Sequence, residues 1–281
     1  MDIFSYAEIL LKSDRLEDKL TPPPSDFSMA DKFSGVVPDK PGRPANLKFS
    51  DKKSKIPRLE HLWQDYNRAI TMHHFANHEL MAIELFAWAL LKYPSLPEKI
   101  RRDIVRTISE EQKHLRLYLQ RMEETGISFG ERPLNYIFWK QTPLLRTPEQ
   151  FFAVMALSFE GANLDYAMVY ERVFSHFEDS VSAEIMRTVY RDELKHVTRG
   201  LKAVRRSRPD NMNDWDYYQS LITFPFTPRR AKGYSYFPET RKKTGLDNSF
   251  IENLGSYRDE YSNRVQSPLL NKLFDPGGNP L

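Results

Sequence analysis

The 281-residue chain is 40% apolar and 28% charged, a balance that predicts a folded, water-soluble protein able to bury a large core. Its 41 basic and 38 acidic residues give a formal net charge of +3, which argues against a globally basic nucleic-acid coat. There is no cysteine, so disulfides, thiolate zinc sites, iron–sulfur clusters and thiol catalysis are excluded, and a metal would have to be held by His, Asp, Glu or Tyr.

Residues 1–12 read as a short amphipathic helix. Early acids, and the lack of a basic region followed by an apolar run, do not fit a signal peptide, so a cytoplasmic location is expected. The segments TPPPSD and GVVPDKPGRP then prevent regular structure until about Pro57. From Arg58 to about Tyr93 nothing breaks a helix, and Leu62, Tyr66, Ala69, Ile70, Phe75, Ile83, Phe86 and Leu90 recur at helical spacing. The most apolar run, Leu80 to Leu91, contains Glu84 and falls far short of a membrane span.

Pro94 and Pro97 separate this helix from a second, Leu96 to Thr125, which Gly126 stops. An aromatic connection with a short helix near Leu134 to Lys140 leads to a third helix, opened by Thr147-Pro148-Glu149 and running to His176. A fourth runs from Asp179 to Arg206, before Pro209. Long helices with short or moderate connections predict an all-α antiparallel four-helix bundle over residues 58–208. Residues 1–57 form an N-terminal arm and residues 209–281 a C-terminal arm. The latter is too aromatic for a disordered tail. It is expected to wrap the bundle or a partner subunit, with a short extra helix from Phe250 to Arg264 and a Pro/Gly-rich end at 276–281.

The chemistry-bearing pattern is Glu111-x-x-His114, repeated 82 residues later as Glu193-x-x-His196. Residues three apart share a helix face, so each pair can offer a carboxylate and an imidazole to one point. One such element in a long helix ordinarily faces water. Two of them, with one glutamate from each remaining helix, complete a di-metal site in a bundle. The third helix supplies Glu160, beside an apolar face of Phe152, Met155, Ala156 and Phe159 and before the small Gly161 and Ala162. An acid in that setting is costly to bury unless it is paired or metal-bound.

The first helix offers Glu79 and Glu84, about 140° apart, so both cannot face one centre. Glu79 aligns with Phe75, Ala82, Ile83, Phe86 and Leu90 and is assigned to the metal. Glu84 is the alternative ligand, or a partner for a wrapped arm or a subunit contact. Asp192 and Glu110, next to the ligand glutamates, are candidate acceptors for the outer imidazole N–H groups. His73, His74 and His78 cluster on the first helix, with His78 a candidate outer neighbour of the site; His61 and His176 are read as surface residues. Four carboxylates and two imidazoles suit iron or manganese better than structural zinc.

The stretches HHFANHELMAIELFAWAL, EEQKHLRLYLQRM, FEGANLDYA and YRDELKHVTRGLKAV resemble the ferritin-like di-iron carboxylate superfamily, and within it the ferritin-like group DUF455. ELMAIELF is also similar to the demethoxyubiquinone hydroxylase branch, where the first glutamate is the ligand; this favours Glu79. The resemblance covers roughly residues 60–205. It implies a ferritin-like bundle with Glu79, Glu111, His114, Glu160, Glu193 and His196 holding two Fe ions (or Mn, or mixed Fe/Mn), and Glu111 and Glu193 as bridging, catalytic carboxylates.

It further implies an oxidoreductase that activates O2 to oxidise or hydroxylate a small organic substrate. Without a cysteine-bound electron-transfer domain, reducing equivalents would come from an external reductase or from the substrate. Peroxide or oxygen scavenging and iron handling are alternatives within the superfamily. So is a tRNA-modifying hydroxylase. A different class is a nucleic-acid-binding protein, because Arg229, Arg230, Lys232, Arg241, Lys242 and Lys243 lie among Tyr234, Tyr236 and Phe237. The near-neutral charge and the prolines favour a solvated arm or a homodimer contact instead.

Overall fold

The computed structural model describes residues 1–29, 32–52, 54–259 and 267–274. Among these the regular structure is helical, and β pairing is confined to isolated bridges such as Asp2–Ser28 and Phe49–Leu134. The chain divides into two compact units: Met1–Pro57 with Gln64–Thr142, and Arg58–Trp63 with Pro143–Leu281. No described helix is long and apolar enough to cross a membrane.

The first unit contains α1 (Ile3–Lys12), α2 (Leu16–Lys19), α3 (Asp65–Lys92) and α4 (Glu98–Glu124). Asp2 caps α1, its carboxylate accepting from the backbone N–H groups of Phe4 (2.9 Å) and Ser5 (3.1 Å). The 28 residues of α3 include no glycine or proline, and Asp65 and Lys92 suit the two ends of its dipole. It is buried almost all round, because α4 packs along one side and α1 along another. α4 buries a single stripe, with Ile104, Ile108, Leu115, Tyr118 and Met122 among its members. The turn Tyr93–Pro97 folds α3 and α4 into a hairpin, and Gly126 ends α4 at φ +82°.

α3 starts seven residues later than its pattern predicts. Leu59–His61 forms one 3-10 turn, and the Glu60 carboxylate accepts from the Ser267 hydroxyl, which draws residues 58–63 into the second unit. The short helix expected at 134–140 lies instead at Trp139–Leu144, as a 3-10 helix.

The second unit is a hairpin whose first arm is composite: α5 (Pro148–Val154), a π-helical segment Met155–Glu160, and α6 (Gly161–His176). Thr147 and Gln150 open α5 with a reciprocal capping box. α7 (Ser180–Arg205) returns along this arm after a short turn. Gly200 lets α7 approach the π segment, since a Cβ there would stand 2.1 Å from the Ala156 Cβ.

The C-terminal part adds α8 (Asp214–Leu221), α9 (Pro238–Thr244), α10 (Asn248–Ser256) and α11 (Leu270–Leu273). It packs inside the same unit through Trp215, Tyr218 and Phe250, whose rings lie 5.1–6.0 Å apart, and through a 2.7 Å hydrogen bond between the Tyr218 and Ser158 hydroxyls. α10 ends at Ser256, short of the expected Arg264; residues 260–266 and the Pro/Gly-rich end lie outside the described residues.

The approach at Gly200 gives a direct test. Gly200→Ala is expected to destabilise the fold by about 1–3 kcal/mol, the usual cost of overpacking. Adding Ala156→Gly should recover much of the loss in a double-mutant cycle followed by urea unfolding.

Candidate metal centre

In the first unit α3 carries Glu79 and α4 carries Glu111 and His114, all buried. Helical spacing puts Glu111 and His114 on one face, and His114 Nδ1 lies 3.2 Å from Glu111 Oε2. Glu79 approaches from the facing helix, its Oε2 4.0 Å from the same nitrogen. The hairpin thus brings two carboxylates and one imidazole together, with one donor atom of each within 4.8 Å of the others.

The second unit repeats this arrangement. His196 Nδ1 lies 3.3 Å from Glu193 Oε2 on α7 and 3.8 Å from Glu160 Oε1 at the end of the π segment. All three side chains are buried, and their donor atoms also lie within 4.8 Å of one another. The π segment supplies what the helical pattern of the third helix lacked. Phe152, Met155, Ala156 and Phe159 mark a face that narrowly misses Glu160 in a regular helix. A turn closed by the Gly161 N–H on the Ala156 carbonyl, five residues back, adds one residue and shifts the phase before Glu160.

A family model described as "Protein of unknown function (DUF455)" matches residues 11–252. The chain belongs to the DUF455 family. All six triad residues lie within the matched span. No curated protein and no solved structure matches the chain.

The donor set fits a divalent transition metal. Two carboxylates held this close repel unless a cation or a proton sits between them, and oxygen and imidazole donors suit iron or manganese. In each triad the imidazole presents Nδ1 to the carboxylates, the atom that would ligate.

Glu84 is placed apart from the Glu79 triad in another environment. It is fully buried and ion-paired with Lys19 (3.1 Å) and Arg43 (2.6 Å) of the N-terminal arm. Burial pulls the Lys19 ammonium below its ordinary value, against the opposing pull of the Glu84 charge. Asp192 is buried beside Glu193 and accepts from Lys195 at 2.6 Å, while Glu110 is half-buried on α4.

Three polar residues near the triads escaped the sequence reading. The Asn163 amide donates to Glu193 Oε1 at 2.9 Å, so it orients a candidate ligand. Gln112, between Glu111 and His114, donates to the carbonyls of Lys19 (2.9 Å) and Thr21 (2.8 Å) and docks the N-terminal arm on α4. Asp165, five residues after Glu160, forms a buried pair with Arg241 of the C-terminal arm. The available signal was that Asp165 follows Glu160 at the spacing by which Glu84 follows Glu79. The basic cluster of that arm is split: Lys232 and Arg241 are buried and bonded inside the unit, whereas Arg230, Lys242 and Lys243 are exposed.

Three histidines lie in the first half of α3. His73 is buried, and its Nε2 accepts from the backbone N–H groups of Gly130 (3.1 Å) and Arg132 (3.4 Å). The His74 and His78 rings lie 4.4 Å apart, tilted by 59°, and His78 packs on Phe138. His61 and His176 are exposed.

Burial, then the nearby Arg132 charge, pushes the His73 imidazole from 6.5 down to about 4. A histidine depressed in the folded state favours folding fully above its unfolded value and loses that contribution as pH falls. Stability should therefore decline as pH drops from 6.5 toward 4. His73→Gln, which keeps an acceptor but cannot titrate, should reduce that slope in thermal unfolding measured across the range, the remainder coming from His74 and His78, which burial also pushes down.

Proposed function

We propose that this protein is a di-metal carboxylate oxidoreductase. In this reading Glu79, Glu111 and His114 hold one iron or manganese ion, and Glu160, Glu193 and His196 hold a second. The observation that carries the reading is the repetition of one buried Glu, Glu-x-x-His triad in both units, with matching donor geometry. Chance seldom buries two carboxylates against an imidazole, and far less often does so twice on two helical hairpins. The di-metal reading also draws on the ferritin-like pattern, in which the ligands are two single Glu and two Glu-x-x-His elements on paired helices. That arrangement is taken from the sequence resemblance.

The chain's own part in the chemistry follows from the triads. The four carboxylates would carry the charge that two divalent ions neutralise, and binding would relieve the repulsion within each triad. His114 and His196 would each give a ring nitrogen to a bound metal. Buried apolar neighbours such as Leu80, Ile83, Leu115, Ala162 and Val197 keep bulk water from the donors. When bound, the metals would supply redox chemistry toward O2, with electrons from an external reductase or from an organic substrate.

Metal removal and anaerobic reconstitution test the reading. The expected stoichiometry is two Fe(II) or Mn(II) per chain, falling to one in His114→Ala and one in His196→Ala. O2 added to the Fe(II) form should be consumed rapidly. Fewer than one metal per wild-type chain would overturn the proposal, and uptake continuing beyond two irons would replace it with iron storage.

A further inference from the structure

Arg241, on α9, is one of the largest fully buried side chains in the protein, and its guanidinium is fully engaged on one edge. Its Nη2 donates to the Gly161 carbonyl (2.7 Å), the Ala231 carbonyl (2.9 Å) and Asp165 Oδ2 (2.9 Å), while Nη1 pairs with Asp165 Oδ1. Asp165 also accepts from the backbone N–H groups of Gly233 (2.9 Å) and Phe237 (3.0 Å). The Tyr236 ring lies under the guanidinium at 4.8 Å. One arginine thus ties the C-terminal arm, the helix α6 and the carbonyl of the residue that follows Glu160.

That place in the chain matters because the π segment ends at Glu160 and the regular ladder resumes at Gly161. The change of ladder sets the rotation about the helix axis at which Glu160 projects, and single π turns of this kind are frequent at functional sites. A buried ion pair adds little stability over an apolar pair of the same size, so its contribution here is geometric. A planar fork that reaches three acceptors fixes direction in a way that a point charge does not.

The first unit carries the same device. Glu84, five residues after Glu79, is gripped by Arg43 and Lys19 of the other arm. Five residues are about 7.5 Å along a helix and about 140° around it, so the arm holds the side away from the ligand.

We infer that Arg241 is a positioning residue for the Glu160 triad, so that docking of the C-terminal arm and metal binding at Glu160, Glu193 and His196 are linked. The inference rests on the metal reading of that triad. Linkage is reciprocal: whatever the docked arm adds to metal affinity, the metal adds to arm docking.

Mn(II) titration of the full chain tests it with Arg241→Lys, which keeps the charge but loses the fork. Asp165→Asn serves as a second variant, and circular dichroism checks the fold. One of the two Mn(II) sites should weaken by roughly 10- to 100-fold, as for other residues that orient ligands, while the other is unchanged. A second measurement needs no variant: hydrogen exchange at the Gly233 and Phe237 amides of the wild type should slow by about tenfold when Mn(II) is added. Wild-type affinity at both sites in Arg241→Lys, or exchange indifferent to Mn(II), would overturn the inference while leaving the metal reading intact. A wild-type chain that binds no Mn(II) or Fe(II) would remove the metal reading and this inference with it.

Discussion

A carboxylate taken out of water must be met by a cation, a proton or a set of hydrogen-bond donors, and this chain buries Glu79, Glu84, Glu111, Glu160, Asp165 and Glu193 inside its helical units. The rest of the structure is arranged around that demand. Glu84 and Asp165 are met by cations of the N- and C-terminal arms, which fix where the arms lie on the helices. The remaining four stand in two triads, each with its own imidazole, and a divalent ion is the partner that such a donor set accommodates best.

The two units share one plan. A glutamate on the first helix of a hairpin, an acid five residues later facing an arm, and Glu-x-x-His on the second helix occur in both. Glu160 and Asp165 follow Glu79 and Glu84 by 81 residues, and the Glu-x-x-His elements are 82 apart. What differs is the solution to the same geometric problem. α3 reaches its triad as a regular helix, whereas the equivalent arm of the second hairpin needs the π segment before Glu160.

The long helices were legible because nothing between Asp65 and Lys92, or between Ser180 and Arg205, interrupts the 3.6-residue period, and because Thr147-Pro148 and Gly126 mark their ends in conventional ways. The spacing within Glu111-x-x-His114 and Glu193-x-x-His196 was readable for the same reason. The π segment was not, since one inserted residue leaves no compositional mark and shows only as Glu160 sitting slightly off its apolar face. The contacts that hold the arms were unreadable for a different reason. Their order comes from long-range pairs, Arg43 with Glu84 and Arg241 with Asp165, and no local pattern announces a partner 41 or 76 residues away. α10 was legible as a helix but not in its bounds, since it runs from Asn248 to Ser256 rather than from Phe250 to Arg264. The local signal of α8, Asn213 as N-cap, was obscured by the surrounding prolines and aromatics.

Membership of the DUF455 family places these residues within a shared family model, and the function proposed here turns on whether the two triads hold metals. The most direct measurement is an anomalous-difference map at the iron or manganese edge, from crystals of the anaerobically loaded protein. Two peaks per chain, one at Glu79, Glu111 and His114 and one at Glu160, Glu193 and His196, are the predicted result. A map without a peak at either triad, from protein shown to be exposed to excess metal, would contradict it.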